Sequence, residues 1–406
     1  MQRSKFIFKK IERKVNEEDQ IVTCFRDGQV TLRANRRTEG FTNALKEHGY
    51  QGIRKGDLVI HAMDAFAGAI GISDSDGKAT PVYSVCLPHN KQKIDVYFYS
   101  YYLRNLALSG FISSLAKGIR ERSTDFRYAD FAELLLPIPP YLEQQKIVQF
   151  LNDKTAKIDQ AVDLAEKQIA LLKEHKQILI QNAVTRGLNP DVPLKNSGVE
   201  WIGQVPEHWE SFRFKRVVEK VKDGTHGTHS RTEQGYPLLS AKNIFNNGIQ
   251  ITDNESLISE YDFKLITSNG FPRKNDLLVT CVGSIGRCCI YPFDEPIAFQ
   301  RSVAFLRLNK KAFPGFYRYF IESNCYQEQL KTNTKLSIQG GVYLGTLIDL
   351  YVCFPPLLEQ QTITIYLDTQ TAKIDQAIAL KTAHIEKLKE YKSVLINDVV
   401  TGKVQV

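Results

Sequence analysis

Residues 141–185, YLEQQKIVQFLNDKTAKIDQAVDLAEKQIALLKEHKQILIQNAVT, and residues 357–401, LLEQQTITIYLDTQTAKIDQAIALKTAHIEKLKEYKSVLINDVVT, align without a gap and agree at about half their positions. Each copy follows a proline pair, Pro139-Pro140 and Pro355-Pro356, has Glu-Gln-Gln two residues beyond it and carries T-A-K-I-D-Q-A unchanged. A chance match of this length is excluded, and the chain is an internal repeat. Proline is tolerated at or just before a helix start, and neither proline nor glycine interrupts either copy. Each copy therefore reads as one long helix.

Leu151, Ile158, Ala165, Leu172 and Leu179 recur every seventh residue, with Val148, Thr155, Val162, Ile169, Lys176 and Ala183 as a companion row. Leu367, Ile374, Lys381, Leu388 and Leu395 occupy the matching row of the second copy. Such seams suit a coiled coil, and two matched seams in one chain are natural partners for each other. At 1.5 Å per residue each helix runs to about 60 Å, too long to be buried in one domain.

Working outward, the segments before the helices correspond more loosely. Phe8-Lys9-Lys10-Ile11 parallels Phe214-Lys215-Arg216-Val217, Asn35 and Gly40 parallel Asn243 and Gly248, and Asp57-Leu58-Val59-Ile60 parallels Asp276-Leu277-Leu278-Val279. Gly68-Ala69-Ile70-Gly71 parallels Gly283-Ser284-Ile285-Gly286. Short β-rich runs such as DLVIHAM and SVAFLRL alternate with Gly, Asn and Asp turns, which predicts α+β domains. The expected organisation is a globular domain over 1–138, a helix region over 139–187, a linker over 188–210, a second globular domain over 211–354 and a second helix region over 355–406.

The chain has 406 residues and 43 % apolar content, enough for two sizeable cores. No apolar run approaches the roughly 20 residues of a membrane span, and the start, MQRSKFIFKKIERK, lacks a signal-type apolar run, so a cytoplasmic location away from membranes is expected. Seven scattered cysteines without a C-x-x-C pair disfavour disulfides and structural zinc. A formal charge of +8 favours an anionic partner.

The P-P-x-x-E-Q-Q openings, the T-A-K-I-D-Q-A heptapeptides, the segment W-I-G-Q-V-P-E-H-W from Trp201 to Trp209 and Asp223-Gly224-Thr225-His226 together resemble the specificity subunit of type I restriction-modification systems. The resemblance spans essentially the whole chain. It implies two target-recognition domains, each reading one half of a split double-stranded DNA site, with two antiparallel helices setting the gap. It also implies a non-catalytic role: two methyltransferase subunits would bind S-adenosylmethionine, and restriction subunits would use ATP and Mg, with no cofactor on this chain. No counterpart of Trp201–Trp209 stands before Met1, and the first domain begins at about the level of Ser211, which leaves the packing of its edge open.

Candidate DNA contacts follow from side-chain chemistry. In the first domain Arg33, Asn35, Arg36 and Arg37 form one cluster, and Arg120, Arg122 and Arg127 another. Arginine forks read guanine edges or clamp phosphates. In the second domain the candidates are Thr225, His226, Arg231, Lys242, Asn243, Gln300, Arg301, Lys335 and Gln339. The plain alternative for each is ordinary solvated charge. His226 and His229 lie three apart, but Gly224 and Gly227 argue against the helix that would aim both at a metal, so no metal site is expected. Retention of Glu143-Gln144-Gln145 as Glu359-Gln360-Gln361, and of Lys157 and Asp159 as Lys373 and Asp375, marks a docking surface shared by two identical partner subunits, against the plain reading of surface charge.

Two rival readings stand beside this one. A self-sufficient DNA methyltransferase would need Asp64–Gly71 as a cofactor loop and Pro139-Pro140-Tyr141 as a base-gripping motif. Ile138 stands where that motif needs an amide, and the glycine pair recurs in the second domain without its acidic and aromatic lead. A coiled-coil adaptor with protein-binding domains is the third reading.

Overall fold

The computed structural model describes residues 1–36, 48–115, 125–268, 270–334 and 341–406. The chain divides into two compact units, 1–166 with 382–406, and 167–381. Each unit thus holds one globular domain with a portion of each long helix, which departs from the linear division expected from sequence.

The two domains share one sheet topology. In the first unit the antiparallel order is Phe8–Lys10, Tyr83–Pro88, Leu58–His61, Ile70–Ile72, and in the second Val218–Asp223, Val303–Leu308, Leu277–Thr280, Cys288–Ile290. The return strand leads to an aromatic-rich helix, Val96–Leu108 or Pro314–Glu322, which buries Phe98 and Tyr99 in one case and Phe316 and Tyr317 in the other. Phe8 meets Tyr99 edge-on at 5.2 Å, whereas Phe214 stacks on Tyr317 at 5.0 Å. Burial of several such rings contributes about 1.5–3 kcal/mol each, and it explains why a short, irregular sheet holds together.

Two of the sequence parallels shift register. Ser4 N donates to Leu134 O as Phe214 N donates to Leu350 O, so Ser4 is the counterpart of Phe214, and Phe8 opens a strand as Val218 does. The left-handed glycines that precede the strands Ile70–Ile72 and Cys288–Ile290 are Gly68 and Gly286, at φ 90° and 85°. Gly71 instead lies in the strand Ile70–Ile72, where a Cβ would sit 1.9 Å from Gly28 O. That glycine serves close packing of two backbones, which removes the cofactor-loop reading of this segment.

The parallel of Asp57 with Asp276 holds in the structure. Both carboxylates are buried, both accept from the backbone N–H of an arginine three residues earlier, Arg54 or Arg273, and both pair with a second arginine, Arg13 or Arg307. A buried carboxylate is tolerated only with such partners.

The long helices span Tyr141–Arg186 and Leu357–Val400. In the first unit Ile147, Val148 and Leu151 share a core with Leu395, Ile396, Val399 and Val400, and Lys392 Nζ lies 2.6 Å from Asp159 Oδ1. In the second unit Ile180, Ala183 and Val184 share a core with Ile363 and Leu367, Lys176 Nζ lies 2.7 Å from Asp375 Oδ2, and Lys381 Nζ 2.6 Å from Gln168 Oε1. Within the second unit the order of these pairs makes the contact antiparallel. The two aspartates and the two lysines are the same repeat positions, so part of the retention in T-A-K-I-D-Q-A serves helix-to-helix pairing.

The retained glutamines correct the docking expectation. Gln144 and Gln360 are both 0 % exposed. Gln144 donates from Nε2 to Lys93 O and Pro139 O and accepts from Asp95 N at Oε1. Gln360 donates to Lys311 O and Pro355 O and accepts from Phe313 N. Asp95 and Phe313 are the N-cap residues of the aromatic helices. Each glutamine therefore joins a long helix to its own domain and has no capacity left for a partner. Glu359 is likewise occupied, accepting from Trp209 Nε1 at 2.9 Å and facing His208 Nε2 at 2.8 Å. Glu143, Gln145, Lys157 and Lys373 remain exposed, and Gln361 half-buried.

The expected linker also folds. Leu194–Asn196 pairs with Gln204–Pro206, and Trp209 is fully buried against Phe316 at 6.3 Å. Residues 194–209 belong to the second unit's core because Ile202, Val205 and Trp209 supply apolar surface that the proline and glycine content conceals. Among the described residues, no helix is long and apolar enough to cross a membrane.

Candidate nucleic-acid interface

In the second domain, residues 223–231 follow directly on the edge strand Val218–Asp223. The loop is anchored through its backbone: Thr225 N donates to Phe299 O, and Arg301 N donates to Thr225 O. This brings Thr225, His226, Gln300 and Arg301 together, although some 75 residues of sequence separate the two segments. His226, Arg231 and Arg301 are exposed, while Gln300 is half-buried and its N–H is spent on Leu239 O.

The polar side chains of the loop form a chain. Asp262 Oδ1 lies 3.0 Å from His229 Nδ1, and His229 Nε2 lies 2.9 Å from Thr225 Oγ1. Gly227 N donates to the same Thr225 oxygen at 3.1 Å. A carboxylate only accepts, so a neutral His229 ring carries its hydrogen on Nδ1 and offers a lone pair at Nε2. Thr225 then donates its hydroxyl hydrogen to His229 and accepts from Gly227. Its expected role as a DNA contact is corrected to that of an internal brace, because the hydroxyl hydrogen is already committed. The bond from His229 Nδ1, together with Ser259 Oγ on the other carboxylate oxygen, holds Asp262 below the usual carboxylate range.

Behind the loop lies a cleft of about 480 Å³, with Lys222, Asp223 and His226 among its polar lining and Leu278, Phe299, Val303 and Phe305 among its apolar lining. Lys222 escaped sequence reading, since nothing in a single strand marks which lysine flanks a cleft. Asp262 escaped as well, being 33 residues from His229.

Asn243 is a further correction. It is buried, its amide donates to Gln250 O and Glu255 Oε1, and its Oδ1 accepts from Ser240 N. An asparagine saturated in this way cannot read adenine. Lys242 pairs with Glu255 at 2.8 Å, and that bond, first among several, lowers the pKa of Glu255. The lysine side chain itself stays exposed.

In the first domain Arg33 Nε lies 3.3 Å from Thr23 Oγ1 and Asn35 donates to Thr31 at 2.9 Å. Arg36 pairs with Asp27 at 2.6 Å and stacks on Phe25 with 4.3 Å to the ring centre. Arg33 and Asn35 bound one short 3-10 turn, so this cluster is a real spatial unit. Arg127 pairs with Asp125 at 2.7 Å in a largely exposed setting. Arg37, Arg120, Arg122, Lys335 and Gln339 lie outside the described residues. Among the described residues no group of three or more His, Cys, Asp or Glu side chains is placed to hold a metal ion.

Comparison with known proteins gives a consistent picture. Residues 206–390 match the family model of the type I restriction modification DNA specificity domain. The chain is 26 % identical over 330 residues to the type I restriction enzyme MjaVIII specificity subunit of Methanocaldococcus jannaschii, a match covering 78 % of this chain and 72 % of that one. Among solved structures, a chain from a study of complex assembly and conformational transition in the type I R-M system superposes with a TM-score of 0.69 at 16 % identity, covering 86 % of this chain and 83 % of the other. The HsdS subunit of Thermoanaerobacter tengcongensis gives 0.50 at 18 % identity, covering 87 % and 83 %. At these identities the structural matches speak for a shared α+β fold. With the duplicated helices and the loop Asp223–His226 in place, the chain is similar to type I restriction enzyme specificity subunits over most of its length, and residues 206–390 match their DNA specificity domain.

Proposed function

We propose that the chain recognises a bipartite double-stranded DNA target, one half-site per globular domain, and performs no chemistry itself. The observation that carries this reading is the repetition of one sheet topology in two domains whose polar loops differ. A shared scaffold with divergent loops is what reading two unlike half-sites requires. Tethering the two readers raises the effective concentration of the second once the first has bound. Methyl transfer belongs to two methyltransferase subunits carrying S-adenosylmethionine, and cleavage to restriction subunits carrying ATP and Mg.

Exposed apolar residues at matched repeat positions support docking of two identical partners. Leu142 and Leu358 are 72 % and 74 % exposed, and Leu164 with Leu380, and Ile178 with Val394, are exposed too. Apolar side chains kept at solvent-facing positions in both copies fit a buried interface better than the charges of T-A-K-I-D-Q-A do. Helix length then sets the gap between the half-sites.

The test uses purified chain. Its DNA affinity is expected to fall steeply with salt, because each neutralised phosphate releases counterions, and it should transfer no methyl group unaided. Salt-independent binding contradicts the phosphate contacts, and turnover by the chain alone contradicts the non-catalytic assignment. Inserting four helical residues near Thr185 adds about 6 Å, or roughly one to two base pairs of spacing, with both half-sites unchanged. An unchanged gap in an active complex would show that helix length is not the ruler.

A further inference from the structure

We propose that His226 reads an exocyclic amino group, adenine N6 or cytosine N4, at one position of the second domain's half-site, with Asp223 as the positioning residue that sets its hydrogen-bonding sense. The inference rests on the DNA-reading role proposed above and adds a base class and a residue to it.

The two histidines of the loop are tied to carboxylates by opposite ring nitrogens. His229 meets Asp262 through Nδ1, and its side chain is almost wholly buried. His226 meets Asp223 Oδ2 through Nε2 at 2.6 Å, and its side chain is 64 % exposed. Because the carboxylate accepts only, the neutral His226 ring carries its hydrogen on Nε2 and presents a bare lone pair at Nδ1. No protein group among the described residues occupies that nitrogen.

The backbone beneath His226 has little freedom. Thr225 is braced between His229 and Gly227, its N–H is held by Phe299 O, and its carbonyl by Arg301 N. A Cβ at Gly224 would sit 2.0 Å from Phe299 O, so the loop presses on the neighbouring strand at a point only glycine allows. His226 is therefore a fixed acceptor on an exposed loop, beside the exposed donor Arg301.

Base edges in the major groove decide what such an acceptor selects. Adenine and cytosine offer an amino donor there, whereas guanine and thymine offer acceptors that repel the lone pair. A guanidinium such as that of Arg301, whose backbone N–H meets the Thr225 carbonyl, has the opposite preference. The pair would read two chemically complementary edges.

The test maps methylation by the complex reconstituted with its methyltransferase subunits, at about pH 8, on a library randomised over the second half-site. Wild type is expected to show a position restricted to A or C. His226→Ala should relax that position about tenfold and leave the others intact. Asp223→Asn admits either ring tautomer, since an amide both donates and accepts, and should let the same position take G or T as well. A merely structural role would lower overall activity without changing the preference at one position. A wild-type profile retained in His226→Ala overturns the inference, and relaxation by His226→Ala with an unchanged Asp223→Asn profile removes Asp223's part in it. A wild-type complex with no second half-site would instead overturn the DNA-reading proposal.

Discussion

Replacing Gln360 by methionine removes three hydrogen bonds at nearly constant volume. Phe313 N then loses its acceptor, and Lys311 O and Pro355 O lose their donor, at a site from which solvent is excluded. A buried N–H left unpaired costs about 1–3 kcal/mol, and the carbonyls, with a second lone pair each, cost less. The sum is about 2–5 kcal/mol. At roughly 2–4 °C per kcal/mol for a unit of this size, the second unit should melt about 4–20 °C lower. Hydrogen exchange by mass spectrometry reports the local event: the Phe313 amide should lose protection while the first unit keeps its own. Gln144→Met should do the converse at Asp95. Partner assembly should survive at temperatures where the variant remains folded. An unchanged melting temperature together with lost assembly would refute the internal role and restore these glutamines to a docking surface.

Three further outcomes are expected. All seven cysteines are buried and unpaired in the structure, and burial raises their thiols, Cys325 to about 11 and Cys86 to about 12. Native protein should therefore resist alkylation by iodoacetamide at pH 8 and react only on unfolding, and stoichiometric labelling of folded protein would contradict the packing. Glu255 has a lowered pKa, so its contribution is complete above the unfolded carboxylate range and is lost as pH falls through the folded value. Glu255→Gln should flatten the acid limb of a stability profile, and an unaltered limb would show that the Lys242 and Asn243 bonds contribute nothing. Trp209→Ala empties a fully buried site and should cost about 3–5 kcal/mol in the second unit, measured by denaturant unfolding. A loss below 1 kcal/mol would mean that residues 194–209 are a connector after all.

The long helices were legible because period seven, absent glycine and a repeat all pointed the same way. The α+β character was legible too, since DLVIHAM and DLLVTCV carry strand chemistry into the paired strands Leu58–His61 and Leu277–Thr280. What sequence could not separate was why a residue is retained. Gln144 and Gln360 read as docking residues because retention looks the same whether the partner is another protein or a backbone N–H some 50 residues away. Asn243 read as an adenine contact for the same reason, its real partner Glu255 being set by a turn no local rule announces. The register of Phe8 against Phe214 failed because aromatic residues recur every two residues there, and only the Ser4 and Phe214 backbone bonds settle the offset. In the loop at 223–229 the residue types were legible, and the tautomer of His229 was not, since it depends on Asp262, 33 residues away.

The central claim is that each globular domain reads its own half-site. It is tested most directly by exchanging residues 211–354 for the matching domain of a relative with a different target and mapping methylation by the reconstituted complex. One half of the recognised sequence should change to that of the donor while the other half stays as it was. If both halves changed together, or neither did, the two domains would not be independent readers.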